Sequence, residues 1–102
     1  MARLVVMYKA PQDPVAFDKY YFATHVPIAK RLPGLRKYEV SQGAVATPGG
    51  PSGFHLVATL HFDDVAAIQK AFASPEGQAA VADVGVFATG GVDIYLFDQR
   101  EV

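Results

Sequence analysis

FHLVATLHF, residues 54–62, alternates without interruption: Phe54, Leu56, Ala58, Leu60 and Phe62 fall on one side of an extended chain, and His55, Val57, Thr59 and His61 on the other. Successive strand side chains point to opposite faces, so this period of two marks a strand with one face in a core. Immediately upstream lies a Gly- and Pro-rich loop, ATPGGPSG (46–53), and before it residues 35–43 read as another strand. Downstream, Asp63 or Asp64 caps a short helix carrying Val65, Ile68 and Phe72. Ser74 and Pro75 then cap and begin a helix that runs to about Ala88, and VDIYLFDQ (92–99) closes the chain as a strand. At the other end RLVVMYKA (3–10) is β-branched and aromatic, a strand. Asp13 and Pro14 open a helix over about 14–31, which Pro33 and Gly34 stop.

The resulting order is β-α-β-β-α-β. It predicts an α+β, ferredoxin-like domain over 1–102, with a four-stranded antiparallel sheet and both helices on one face. With 51% apolar and 19% charged residues, the chain is composed as a globular domain. A net charge of −1 with scattered Lys and Arg supplies no basic stripe, so nucleic acid is not an expected partner. The longest strongly apolar run, Leu4 to Tyr8, is far below the ~20 residues needed to span a bilayer. The N-terminal stretch lacks the features of a secretory signal, and a cytoplasmic location is expected. The absence of cysteine excludes disulfides, thiolate catalysis and Cys-ligated metal.

A sheet covered on one face should alternate apolar with polar residues. The first and last strands do not. Leu4, Val6 and Tyr8 oppose Val5 and Met7, and Val92, Ile94 and Leu96 oppose Tyr95 and Phe97. Two apolar faces call for two coverings, and a second copy of the same sheet supplies one, so a homodimer packed sheet to sheet is expected. The competing reading is that these are the two central strands, flanked by long loops.

Chemistry concentrates in YYFATHVPIAKRLPGLRKYEV (20–40). At about 100° per residue, Phe17, Tyr21, Thr24, Ile28 and Leu32 share the face toward the sheet, with His25 at its margin and Tyr20 at the opposite margin. A half-buried imidazole there would reach a pocket and exchange protons near neutral pH. Pro27, which cannot donate to the carbonyl of Ala23, either widens a cleft at His25 or marks a break between two short helices. His55 and His61 share a strand face but lie ~20 Å apart, too far to ligate one ion. No spacing specifies a metal site. Asp83, the one charge in AAVADVGVFA, points to solvent or to a helix end, or else partners His25 or a ligand at the pocket mouth. PGGPSG lacks the lysine and the strand-to-helix context of a phosphate loop.

The segments FDKYYFATHVPIAKRLPGLRKYEV (17–40) and SPEGQAAVADVGVFATGG (74–91), with the VVMYKAPQDP opening, resemble the EthD family of the dimeric α+β barrel superfamily. The resemblance implies a ferredoxin-like fold with sheet-to-sheet dimers. Related dimeric barrels include isomerases, cofactor-free oxygenases, polyketide cyclases and haem-binding enzymes, so it does not choose a reaction. The expected function is action on, or binding of, a small apolar, aromatic or oxygenated molecule in a helix–sheet pocket. His25 is the candidate general acid or base, and Tyr21, Thr24, Tyr38 and Asp83 are candidate substrate contacts. No cofactor motif is visible, and haem would need a histidine near the pocket as its axial ligand. The alternative is a non-catalytic binding or accessory dimer.

Overall fold

In the computed structural model, which describes residues 1–102, the strands β1 (Ala2–Lys9), β2 (Lys37–Val40), β5 (Phe54–Phe62) and β6 (Val92–Asp98) form one antiparallel sheet in the order β2-β5-β1-β6. A separate hairpin, β3 (Ala46–Thr47) with β4 (Gly50–Pro51), folds from the stretch read as loop. The glycine at its turn makes this possible, since Gly50 sits at φ 138°, where a β-carbon is strained. The strand expected over 35–43 is confined to Lys37–Val40; the Ser41 amide makes one further bond to the Val57 carbonyl before the backbone turns toward the hairpin.

One face of the sheet carries α1 (Pro14–Tyr20), α2 (Val26–Ala29), α3 (Val65–Ala73) and α4 (Pro75–Phe87). The caps fall where side-chain chemistry demands them: Asp13 accepts from the Ala16 amide, Asp64 from Ala67 and Ser74 from Gly77. Asp63 is engaged elsewhere, by Arg36. Alternate residues of β1 and β5, among them Leu4, Tyr8, Leu56, Leu60 and Phe62, enter the core beneath these helices. No helix is long and apolar enough to cross a membrane.

Two local irregularities each shift a face by one residue. Between α1 and α2 the chain makes a π-helical turn, Tyr21–His25, in which the Val26 amide bonds the Tyr21 carbonyl. This i→i+5 turn takes more residues per revolution than an α-turn. The buried positions therefore recur every four residues, Phe17, Tyr21, His25 and Ala29. The expectation of Thr24 on the docking face and His25 at its margin is corrected: His25 is 4% exposed, and Thr24 faces out. Pro27, which follows, removes a donor from the helical ladder. The wider turn lies directly before that loss.

The second irregularity is a bulge in β5. Tyr8 pairs with Leu56 and Lys9 with Phe54, leaving His55 as the extra residue. His55 turns to the helical side, where its ring packs edge-on against Phe17 at 5.0 Å and its Nε2 lies 2.7 Å from Asp18 Oδ1. It does not share a face with His61, which pairs with Glu39 on the outer side. Of the two strands with apolar residues on both faces, only β1 is central, whereas β6 is an edge strand. Ile94, Tyr95, Leu96 and Phe97 of β6 are all exposed.

Candidate active site

Between the sheet and the helices lies a cavity of about 270 Å³. Val6 and Tyr8 line it from β1, Leu60 from β5, Phe72 from α3, Val84 from α4 and Ile94 from β6, with His25 and Tyr38 completing the wall. Its mouth opens between β6 and α4, where the lining residues Ile94 and Val81 are 45% and 56% exposed. No lysine, arginine or carboxylate lines the wall. Polar chemistry therefore comes from one imidazole and two phenols.

His25 is held from behind. Its Nδ1 lies 2.8 Å from Asp83 Oδ2, while the Tyr20 hydroxyl donates to Asp83 Oδ1 at 2.6 Å. A carboxylate only accepts, so Nδ1 is the protonated nitrogen. Nε2 is left with a lone pair. It bonds to nothing in the protein, yet no buried side-chain nitrogen or oxygen is without a partner, so Nε2 retains open surface on the cavity that His25 lines. Burial lowers the His25 pKa more than Asp83 raises it, which favours the neutral imidazole. The Tyr20 hydroxyl, bonded to Asp83, ionises less readily than a free phenol. With both carboxylate oxygens bonded, the buried Asp83 is compensated and fixes the tautomer and tilt of the ring.

The hydroxyls of Tyr21 and Tyr38 lie 2.5 Å apart. Tyr38 faces the cavity and Tyr21, with no exposed surface, stands behind it. Tyr8 is 1% exposed and lines the cavity, and its hydroxyl makes no hydrogen bond in the protein. Burial raises the pKa of Tyr8, Tyr21 and Tyr38, so all three remain protonated donors. A neutral base and two phenolic donors on one apolar cavity are the groups needed to remove a proton beside a carbonyl and hold the resulting oxyanion.

Of the residues singled out in the sequence, His25 and Tyr38 reach the cavity, Tyr21 supports Tyr38, and Asp83 supports His25. Thr24 is exposed and lies outside the cavity wall. Asp83 does not point to solvent: it is 9% exposed, because the π-turn brings His25 inward onto α4. Tyr8 and Tyr20 were not identified from sequence. Tyr8 left a signal, a phenol on the same strand face as Leu4 and Val6, whose hydroxyl needs a partner or an opening.

The histidines occupy three separate pairs, His25 with Asp83, His55 with Asp18 and His61 with Glu39, and do not converge. A haem iron would meet His25, the histidine on the cavity. At about 270 Å³ the cavity lies just below the ~300–1,000 Å³ range of pockets for drug-sized ligands.

A sequence profile described as the EthD domain matches residues 9–91. An uncharacterised 11.0 kDa protein from the thcB–thcC intergenic region of Rhodococcus erythropolis is 38% identical over 102 residues, covering 100% of this chain and 98% of that protein. The crystal structure of an EthD family protein from Bacillus halodurans is 34% identical, with a TM-score of 0.89 over 98% of this chain and 99% of the other. A hydroxynitrile lyase from Passiflora edulis shares 16% identity and a TM-score of 0.76, covering 99% of this chain and 94% of that one, a likeness of fold alone.

Proposed function

We propose, from the premise that this chain belongs to the EthD family, within the dimeric α+β barrel superfamily, that its cavity takes up a small apolar or aromatic molecule bearing oxygen, on which His25 moves a proton. The observation that carries this reading is the buried His25, tied through Nδ1 to Asp83 and open through Nε2 to an apolar cavity. Nε2 accepts the proton, and Asp83 stabilises the imidazolium that forms. The apolar wall excludes water that would compete for the base. Isomerisation, dehydration and cofactor-free oxygenation of an electron-rich substrate all begin with such a step.

The working form is a homodimer in the cytoplasm, with the outer face of the sheet against a second copy. Its central rows, Val5 between Thr59 and Tyr95 and Met7 between Val57 and Asp93, favour this packing. The test of the proton-transfer reading is the His25→Ala variant. We expect it to keep ligand affinity within a few-fold and to lose turnover by 10²-fold or more. Full turnover in that variant would end the proton-transfer reading of His25, and a wild type that binds ligand without any turnover would leave a binding or accessory dimer as the function.

A further inference from the structure

We infer that Tyr8 is the donor that holds the substrate oxygen, and that the substrate is accordingly a neutral, enolisable carbonyl compound of one or two rings; this rests on His25 acting as the base. Tyr8 is a core phenol at the end of β1 whose hydroxyl has no protein partner and opens on the cavity. A hydroxyl that opens on an apolar-walled cavity can be bonded only by what enters that cavity, a water or a ligand oxygen. Nothing in the fold requires the oxygen, since the ring alone packs on Phe17, Tyr21 and Phe87 at centroid distances of 5.4, 5.6 and 5.4 Å. His25 packs on two of the same rings, Phe87 at 4.7 Å and Tyr21 at 5.4 Å, and lines the same cavity as Tyr8.

The lining selects against charge. With no cation on the wall, a carboxylate or phosphate entering the cavity would lose its hydration uncompensated. A ketone loses little and gains the Tyr8 hydrogen bond. In the reaction His25 Nε2 takes the proton from the carbon next to the carbonyl. The C–H electron pair becomes the new C=C bond, and the C=O pair moves onto oxygen, where Tyr8 donates to the enolate. Where the substrate carries a C=C β,γ to the carbonyl, return of the proton to the γ-carbon shifts the double bond into conjugation and re-forms the C=O, an isomerisation with no change in oxidation state. Burial keeps Tyr8 protonated, so it stabilises the enolate as a donor.

The test uses 2-tetralone, which can only accept a hydrogen bond, and tetralin, which has no oxygen. Neutral His25 presents a bare Nε2 and cannot donate to the ketone, so a preference for 2-tetralone reports a phenol. We expect wild type to prefer 2-tetralone, Tyr8→Phe to lower that preference about tenfold at unchanged tetralin affinity, and His25→Ala to keep it. Exchange of the 2-tetralone α-hydrogens in deuterium oxide should slow ~100-fold in Tyr8→Phe and fall to the buffer rate in His25→Ala. The assignment is overturned if wild type shows no preference, if the preference survives Tyr8→Phe or is lost only in Tyr38→Phe, or if tetralin affinity falls equally. If His25→Ala exchanges like wild type while the Tyr8 effect stands, the base has been misassigned and the donor has not.

Discussion

At the scale of the residue, the site depends on one carboxylate serving two donors. Replacing Asp83 by alanine leaves the Tyr20 hydroxyl and His25 Nδ1 without their acceptor, at a cost of roughly 2 to 4 kcal/mol, measurable by urea denaturation. Glu39→Ala, which removes the exposed partner of His61, should lower stability much less than Asp83→Ala by the same measurement. The pH dependence has a definite sign. Because burial lowers the His25 pKa, the unfolded chain binds its proton more readily than the folded one. His25 therefore contributes full stability above about pH 6.5 and loses it as pH falls toward the lower folded value. A thermal melt series should show this fall in wild type and a smaller one in His25→Gln.

At the scale of the element, what was legible is what repeats. The alternation of FHLVATLHF fixed the buried face from Leu56 to Phe62, and Asp-Pro and Ser-Pro pairs marked two helix starts, because these are local demands. The bulge at His55 and the π-turn at Tyr21–His25 were not legible, since each adds one residue for the sake of tertiary packing. They misplaced the faces of His55, Thr24 and His25. Asp83 stood out as a lone charge, but its partner lies 58 residues away and only the fold brings the two together. The α3–α4 corner supports the cavity roof and is closely packed. A β-carbon on Gly77 would lie 2.1 Å from the Ala71 carbonyl oxygen. Gly77→Ala should cost about 2 kcal/mol or more, seen as a lower melting temperature, and should weaken ligand binding through Phe72 and Val84.

At the scale of the whole molecule, an apolar interior and the apolar outer-face patch of Val5, Met7, Val57 and Tyr95 together explain how so small a chain carries a cavity. In the proposed dimer the second copy covers the outer face, leaving the helical face free to enclose ligand. Tyr95→Lys, at an exposed position beside Val5 on the outer face, should convert a micromolar dimer to monomer by sedimentation without unfolding it. The central claim, that a neutral His25 offers a bare Nε2 to the cavity, is tested most directly by ¹⁵N NMR of the imidazole through a pH titration. The account predicts a protonated Nδ1, an unprotonated Nε2 at pH 7 and a pKa below 6.5. A protonated Nε2 at pH 7, or a pKa above 6.5, would contradict it.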